Sequence, residues 1–455
     1  MSKSKIISII PLKASELATW LKKATSSQQV WVKDHGFKAD VGEYLSVPSK
    51  NGDVEGVLWG VPNDGLPSDP WAYAKLADSL PIATYSLPDS LGASRAFNAV
   101  FGWSLASYSF ASFKSDKPKK KALLKQPKGL DKKKLKAILD STILVRDLVN
   151  TPTSHMLPSN LAASANKIAK TYKATFKTIV GNKLLDKNLP TIHAVGRASS
   201  DAPRLIDISW GKKSHPKVTL VGKGVCFDSG GLGIKPSGGM RNMKKDMGGA
   251  AHVLGLANAI MALGLPVRLR VLIPAVENAI SANAFRPGDV IKTRKGITVE
   301  VGHTDAEGRL VLCDALALAD EEAPDLLLDF ATLTGAARVA LGPDLPALFT
   351  DDKKLAQELL KAGVDNHDPM WQLPIWQGYS DDLKSSVADI NNISETGFAG
   401  ATIGALFLDR FVDKAKSWAH FDIFAWNPAS KPGKPKGGEA MALRAALAVI
   451  EQKFC

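Results

Sequence analysis

Two acid-rich stretches of this 455-residue chain begin eighty residues apart, at Lys223 and at His303. They contain Asp228, Lys235, Lys244, Lys245 and Asp246 in the first stretch, and Asp305, Glu307 and Arg309 in the second. Four carboxylates brought together repel one another and raise each other's pKa unless cations lie between them. Because shared carboxylates suit two divalent ions roughly 3.5–4 Å apart, the two stretches predict a dinuclear metal site and metal-assisted hydrolysis.

The second stretch carries polar side chains at every second residue. In extended backbone, residues two apart face the same side, so this spacing predicts one shared face. That face would carry His303, Asp305, Glu307 and Arg309. The alternative is a surface strand with alternating polar residues. The apolar flanks at 298–302 and 310–312 are typical of buried segments and favour a site.

The first stretch surrounds Asp228 with glycines. Segment 227–233 lets backbone approach an ion or a substrate closely, but it lacks the spacing of a P-loop and the third glycine of a dinucleotide-binding loop. Asp246 precedes a predicted helix, whose N-terminus stabilises a carboxylate. Taken alone, Asp246 is better explained as a helix N-cap.

Length and composition predict a globular α/β protein of two domains. A chain of 455 residues exceeds the usual size of one hydrophobic core, and its 45% hydrophobic and 23% charged residues are ordinary for an enzyme. No apolar run approaches the roughly 20 residues that span a bilayer. The N-terminal residues are more typical of a first strand than of a signal peptide. Three cysteines without a CxxC pair predict reduced thiols and a cytoplasmic location.

From residue 216 onward, predicted strands alternate with predicted helices. Strands are expected at 218–222, 267–273, 298–302, 325–330 and 418–424, and helices at 248–263 and 308–319. This alternation predicts a mixed or mostly parallel sheet flanked by helices, with ligands at the carboxyl ends of the strands. We therefore expect a smaller N-terminal α/β accessory domain at 1–130 and a catalytic domain at 131–455.

A lysine-rich segment accounts for most of the positive charge. Eleven lysines and two aspartates between Lys114 and Lys136 supply +9 of the net charge of +13. Such a run is most often a solvated linker, and we expect a linker at about 114–136. The alternative is a phosphate-binding patch that would bind DNA with steep salt dependence. No aromatic or arginine residues interleave with these lysines to stack on bases, which favours the linker.

These motifs resemble the leucine aminopeptidase family, the two-metal cytosolic aminopeptidases. Residues 304–310 reproduce seven of the eight residues of that family's signature, Asn-Thr-Asp-Ala-Glu-Gly-Arg-Leu. The similarity continues at 147–152, 221–232, 235–236, 243–249, 274–278, 286–289 and 329–335. It covers about residues 145 to 455, whereas the N-terminal third matches only in general character.

The resemblance implies a ligand set and an activity. One metal site would be formed by Lys223, Asp228, Asp246 and Glu307, and a second, more exchangeable site by Asp228, Asp305 and Glu307. Lys235 would polarise the scissile carbonyl, Arg309 would hold a bicarbonate ion, and Thr332, Leu333 and Gly335 would line the substrate site. The family further implies Mn²⁺ or Zn²⁺, a homohexamer, and release of Leu and other apolar N-terminal residues. Some bacterial members also bind DNA.

His303 departs from the pattern, because the family usually has asparagine there. One interpretation is a neighbour that keeps a hydrogen-bonding side chain near the site. The other is an added metal or substrate contact that changes the pH dependence, since histidine titrates near neutrality. We favour the first.

A two-metal phosphoesterase is a further alternative for the acid cluster, but the histidine ligands expected of one are missing.

Overall fold

The computed structural model describes residues 6–89, 91–116 and 120–455. The chain divides into two compact units, the first comprising residues 1–139 and 429–436 and the second residues 140–428 and 437–455. The α/β class and the two-domain organisation predicted from the sequence are confirmed. The boundary at 130 and the linker at 114–136 stay predictions, and residues 117–119 of that segment lie outside the described residues.

The first unit contains a five-stranded sheet in the order β2-β3-β1-β4-β5. Only the β2–β3 pair is antiparallel. The strands are β1 (Ile6–Leu12), β2 (Tyr44–Pro48), β3 (Val54–Gly60), β4 (Thr84–Ser86) and β5 (Leu123–Leu124). The helices are α1 (Leu17–Lys23), α2 (Ser26–Asp34), α3 (Pro70–Ser79) and α4 (Ala93–Ala106). Helix α5 (Lys132–Asn150) contains the point at which the two units divide.

The second unit contains the large sheet that carries the site. Its strands are β6 (Thr175–Val180), β7 (Arg204–Trp210), β8 (Lys217–Gly222), β9 (Gly224–Asp228), β10 (Arg268–Asn278), β13 (Leu326–Ala331), β14 (Ala347–Phe349), β15 (Trp371–Gln372) and β17 (Trp418–Asp422). Their order is β15-β14-β17-β13-β8-β10-β7-β6, with β9 paired to β10. Strands β17, β13, β8 and β10 run parallel, and so do β14 and β15, whereas the pairs β14–β17, β10–β7 and β7–β6 are antiparallel. The mixed, mostly parallel sheet is therefore confirmed.

The remaining elements complete the second unit. Small sheets are formed by β11 (Val290–Lys292), β12 (Thr298–Glu300) and β16 (Ile390–Asn391), and by β18 (Trp426–Asn427) and β19 (Gly437–Gly438). The helices are α6 (Pro158–Thr171), α7 (Lys183–Asp186), α8 (Pro190–Gly196), α9 (Ser237–Met240), α10 (Gly248–Leu263), α11 (Glu307–Asp320), α12 (Gly335–Leu341), α13 (Lys353–Asp365), α14 (Gly400–Asp409) and α15 (Leu443–Phe454). Within the described residues, no helix combines the length and apolar character needed to cross a bilayer.

Two sequence-based expectations about the second acid-rich stretch are wrong. Strand β12 belongs to the three-stranded sheet with β11 and β16 rather than to the large sheet. The segment after it is not extended, because a turn at Thr304 and Asp305 leads into helix α11 at Glu307. Thr304 fixes this turn: its hydroxyl donates to the Gly230 carbonyl at 2.6 Å and accepts from the Gly233 amide at 2.8 Å. The carboxylates therefore converge through a turn and a helix start.

Helix α10 lies unusually close to the central strands because it begins with two glycines. A Cβ atom on Gly249 would lie 2.0 Å from the Phe330 carbonyl oxygen. The Phe330 carbonyl accepts from the Lys223 amide at 3.0 Å, and the Lys223 carbonyl accepts from the Ala250 amide at 2.8 Å. The glycine therefore allows the helix to hold the backbone of Lys223 directly.

We expect Gly249→Ala to destabilise the second unit by about 1–3 kcal/mol or more, because the methyl group has no space beside the strand backbone. Thermal unfolding measures the effect, and the same variant should lose affinity for divalent ions because Lys223 moves. Gly238→Ala is the matched control, since nothing lies within 4 Å of the position of its added Cβ. Equal unfolding temperatures for the two variants would contradict the packing argument.

His252 on α10 is fully buried and electrically neutral. Its Nδ1 donates to the Gly248 carbonyl at 2.6 Å, while its Nε2 accepts from the Met441 amide at 2.9 Å. Burial lowers the pKa of His252 to about 4. Between this value and about 6.5 the unfolded chain binds more protons than the folded chain. The contribution of His252 to stability is therefore complete above about pH 6.5 and is lost as the pH falls toward 4.

We expect His252→Gln to reduce the difference in unfolding free energy between pH 7.5 and pH 5 by about 2 kcal/mol, which is the linkage of one histidine over that interval. The variant is less stable than the parent at pH 7.5, because both ring hydrogen bonds are lost or altered. Urea unfolding at the two pH values measures the difference. Identical pH dependence in parent and variant would contradict this role.

Candidate metal centre

Parallel strands of the large sheet deliver polar side chains to one edge. Lys223 directly follows β8, Asp228 ends β9, Asn278 ends β10, Thr332 directly follows β13, and Asp422 ends β17. All of these residues are buried. Ligands of parallel α/β sheets bind at this edge, so the topology alone creates a site from residues distant in sequence.

Lys223 lies between two carboxylates. Its Nζ is 2.8 Å from Asp246 Oδ2 and 2.9 Å from Glu307 Oε1, and it donates to the Thr332 carbonyl at 2.9 Å. Burial alone would lower the pKa of Lys223, but the two carboxylates outweigh burial and raise it. The lysine thus compensates negative charge at the centre of the cluster.

Asp228 and Asp305 share a second lysine. Lys235 Nζ is 2.7 Å from Asp228 Oδ2 and also contacts Asp305 Oδ1. Asp228 Oδ1 accepts from the Gly230 amide at 2.9 Å and from Asn278 Nδ2 at 2.8 Å, which fixes the carboxylate. Burial, followed by repulsion from Asp246, raises the pKa of Asp228 to about 6. The ammonium groups of Lys223 and Lys235 therefore lie between the carboxylates, where positive charge reduces their mutual repulsion.

Asp246 lies in a 3-10 turn, Met243–Met247, immediately before α10. Its Oδ1 accepts from the Thr332 hydroxyl at 2.7 Å, while its Oδ2 faces Lys223. Burial alone would raise the pKa of Asp246, but the ammonium groups of Lys223 and Lys245 hold it below its usual value. The N-cap of α10 is Met247, without a side-chain cap, so Asp246 does not cap the helix and instead contacts the lysine that directly follows β8.

Glu307 has the surroundings expected of a metal-ion ligand. It is 1% exposed, and its Oε2 atom is buried without a hydrogen-bond partner among the described residues. One oxygen each from Asp228, Asp305 and Glu307 lie within 4.8 Å of one another. Burial, followed by repulsion from Asp228, raises the pKa of Glu307 to about 8. An oxygen-rich set with buried carboxylate oxygens that lack a hydrogen-bond partner in the described part of the chain fits divalent cations.

Arg309 follows on the first turn of α11 and is buried. Its Nη1 donates to the Asn392 carbonyl at 2.6 Å, and burial lowers its pKa to about 10. The Asn392 side chain bonds the same region, accepting from the Gly302 amide and donating to the His303 carbonyl. Asn392 therefore joins the arginine to the turn that carries Asp305.

His303 makes a local hydrogen bond within this turn. Its Nδ1 accepts from the Asp305 amide at 3.0 Å. The ring also lies against the glycine loop, where a Cβ on Gly233 would meet His303 Cε1 at 2.7 Å. Among the residues described, the group that could share a metal ion comprises Asp228, Asp305 and Glu307. An asparagine side-chain oxygen can accept the same amide hydrogen bond.

We therefore expect His303→Asn to leave metal content and the pH profile of hydrolysis unchanged. The asparagine keeps an acceptor for the Asp305 amide, so the turn keeps its shape. Metal analysis and rates across pH 5 to 9 check this prediction. A lost metal ion or a displaced pH profile would favour the second interpretation, in which the histidine contacts metal or substrate.

A cavity of about 320 Å³ opens beside the cluster. Its walls include Asp228, Lys235, Asp246, Asp305 and Glu307, together with the predicted substrate-site residues Thr332, Leu333 and Gly335. Lys245, Arg338 and Phe424 also line it. Thus the structure brings the predicted ligands and substrate-site residues to one cavity, with Lys223 at its wall and Arg309 on the adjoining helix.

Several residues of the site were not singled out from sequence. Asn278 ties Asp228 to the Thr304 carbonyl, and Asn392 ties Arg309 to the turn. Asn278 ends one of the segments that resemble the family, which is a signal for it. Asn392 lies 83 residues from its partner Arg309, and no motif around it in the sequence indicates a role in the site. Asp422 accepts the amides of Leu333 and Thr334 and positions the substrate-site loop.

Comparisons with known proteins agree with this geometry. The family model for the cytosol aminopeptidase catalytic domain matches residues 143–447, and the model for the M17 aminopeptidase N-terminal domain matches residues 7–127. A probable cytosol aminopeptidase of Chlorobium phaeobacteroides is 42% identical over 314 residues, which are 68% of this chain and 62% of that protein. The match thus spans about three-fifths of that relative's length. A probable cytosol aminopeptidase of Geobacter sp. is 38% identical over 84% of this chain and 79% of its own length.

Solved structures show the same likeness over the full chain. The crystal structure of cytosol aminopeptidase from Coxiella burnetii has a TM-score of 0.94 and 48% identity, covering 100% of this chain and 99% of that one. The bottromycin maturation enzyme BotP in complex with Mn has a TM-score of 0.86 and 33% identity, covering 99% of each chain. With its catalytic-domain match and these relatives, the chain belongs to the cytosol aminopeptidase family.

Proposed function

We propose that this protein is a dinuclear metallo-aminopeptidase that releases N-terminal residues from peptides, with Leu and other apolar residues among them. Family membership supports the reaction class. The observation that carries the proposal is the buried Glu307 Oε2, which has no hydrogen-bond partner in the described structure and belongs to a carboxylate grouped with Asp228 and Asp305.

The proposed ligands divide into two sets that share Asp228 and Glu307. Lys223 and Asp246 would complete one set, and Asp305 would complete the other. A lysine ligand must be neutral, and nearby dications favour that form by disfavouring the ammonium. When bound, two ions such as Mn²⁺ or Zn²⁺ would supply Lewis acidity and an activated water.

The chain's own residues would position the peptide and stabilise the negative charge that develops during hydrolysis. Lys235, whose side chain is 15% exposed, is proposed to donate to the scissile carbonyl oxygen as negative charge develops there. Arg309 is proposed to hold a bicarbonate ion by paired hydrogen bonds, and such an ion would supply general acid–base chemistry there. Thr332, Leu333 and Gly335 would line the space for the first residue.

The proposal is tested by following a ten-residue peptide with an N-terminal leucine by mass spectrometry. Purified protein supplied with Mn²⁺ or Zn²⁺ should remove residues one at a time from the amino end. The same peptide with an acetylated amine should stay intact. Internal cleavage, or equal cleavage of the acetylated peptide, would overturn the proposal.

We propose further that the protein is a cytoplasmic homohexamer, as the family resemblance predicts. The relatives' designation as cytosol aminopeptidases supports the location, and two of the three cysteines are buried free thiols. Sedimentation equilibrium should give six times the chain mass of 48.6 kDa. A monomer at micromolar concentration would contradict the assembly.

DNA binding is a second candidate, and it rests on the lysine-rich segment. Part of that charge is compensated, because Lys121 lies 2.7 Å from Asp78 and Lys128 lies 3.2 Å from Asp89. A gel shift at low salt that weakens steeply with added salt would support it. Absence of a shift at low salt would remove it.

A further inference from the structure

One end of the cavity is cationic, and the proposed chemistry does not use it. Lys245 lines the cavity although it is only 6% exposed, and its Nζ lies 5.1 Å from the centroid of the Phe424 ring. The Arg338 Cζ atom lies 5.0 Å from the same centroid. The aromatic ring favours the presence of both cations but supplies no opposite charge.

No carboxylate contact neutralises this pair within the described part of the chain. The other lysines of the cavity, Lys223 and Lys235, each contact two carboxylates. Asp246 and Asp422 attract Lys245 at longer range, but the close contacts of their oxygens are with other groups. Asp246 contacts Lys223 and Thr332, and both oxygens of Asp422 accept hydrogen bonds from the 333–334 segment. A buried ammonium without an anionic contact, lining a cavity, indicates a site for an anion.

The cavity therefore has two unlike ends. The carboxylate end, with Asp228, Asp305 and Glu307, suits the proposed metals and the amine of a peptide. The cationic end suits a carboxylate, to which lysine and arginine donate charge-assisted hydrogen bonds. An N-terminal Glu or Asp carries an amine and a carboxylate on one residue, and the cavity of about 320 Å³ accommodates such a residue.

We propose that Lys245 and Arg338 bind the side-chain carboxylate of an acidic first residue, so that the substrate class includes peptides beginning with Glu or Asp. The inference rests on the proposed aminopeptidase function and extends its substrate class beyond apolar residues. It makes these two residues determinants of specificity, separate from the groups that act on the peptide bond.

The test compares p-nitroanilides of Glu, Gln and Leu with the metal-loaded enzyme. Glu and Gln have the same shape, and an anilide has no main-chain carboxylate, so only the side-chain charge differs. We expect kcat/KM to favour Glu over Gln by about tenfold, the scale of one hydrogen bond to a charged group. Lys245→Met and Arg338→Gln should each reduce this ratio toward one while Leu-anilide hydrolysis stays within about twofold of the parent. Arg241→Gln, which removes an exposed charge outside the cavity, should keep the ratio.

Binding provides a readout that needs no turnover. Calorimetric titration should show tighter binding of L-glutamate than of L-glutamine to the parent and equal binding to Lys245→Met. A Glu-to-Gln ratio at or below one in the parent, or an unchanged ratio in both cavity variants, would overturn this inference while leaving the aminopeptidase intact. Failure to hydrolyse Leu-anilide would instead overturn the proposed function, and the titration would still decide whether the cationic end binds a carboxylate.

Discussion

Glu307→Gln is expected to lose both metal binding and hydrolysis. The glutamine keeps the shape of the side chain but removes the charge of the carboxylate that both proposed metal sites share. We expect kcat/KM to fall by a factor on the order of 10² to 10³ or more, the range found when one electrostatic group of an active site is removed. Metal analysis after dialysis should find fewer than two ions per chain.

The fold of this variant should survive, which separates loss of function from unfolding. Glu307 is paired with Lys223 in the parent, but Lys223 keeps Asp246 as a partner in the variant, so the neutral amide should not destabilise the metal-free protein strongly. The parent should gain unfolding temperature when Mn²⁺ or Zn²⁺ is added, and the variant should gain less. Glu300→Gln is the matched control, because it makes the same chemical change at a residue of β12 that is not in the carboxylate group. Glu300 Oε2 accepts a hydrogen bond from the Ser385 hydroxyl at 2.5 Å. A variant with full metal content and full activity would contradict the assignment.

Lys235→Met is expected to lose hydrolysis while keeping its metal ions. Lys235 contacts two of the proposed ligand carboxylates, but its proposed role is to donate to the peptide carbonyl. Removal of one such donor should lower kcat/KM by a factor on the order of 10² to 10³. Without metal, Lys235 relieves the repulsion between Asp228 and Asp305, and bound metal ions would relieve the same repulsion. The metal affinity of Lys235→Met should therefore not decrease.

The decisive comparison for Lys235 is therefore between activity and metal content. Steady-state kinetics and metal analysis should be performed on the same preparation. Lys212→Met, at an exposed lysine before β8, provides a control for the loss of one positive charge. Loss of metal together with activity would assign Lys235 to metal binding, and full activity would remove it from the mechanism.

Much of the large sheet was predictable because its strands are continuous apolar runs. Segments 218–222 and 325–330 predict buried strands, and the structure has β8 at Lys217–Gly222 and β13 at Leu326–Ala331. Buried parallel strands need apolar residues on both faces, so the sequence signal is strong. An apolar run does not specify its partner strand, however, and for that reason β12 was assigned to the wrong sheet.

The residues proposed as metal ligands could be named from the sequence, whereas the residues that support them could not. Asp228 and Glu307 occur in short motifs whose residue types indicate the chemistry directly, whereas only the family resemblance indicates Asp246 as a ligand. The alternation from His303 to Arg309 was misleading, because a turn followed by a helix start can also carry polar residues two apart. The cationic end of the cavity comes from three separate segments, at Lys245, Arg338 and Phe424, and only the fold brings them together.

The most direct test of the central claim is hydrolysis of leucine p-nitroanilide before chelation, after chelation, and after Mn²⁺ or Zn²⁺ is added back, with N-acetyl-leucine p-nitroanilide as the matched substrate. Activity should disappear with the chelator and return with metal, and the acetylated substrate should stay uncut throughout. Activity that resists complete metal removal, or equal cleavage of the acetylated substrate, would contradict a metal-dependent enzyme that requires a free amino terminus.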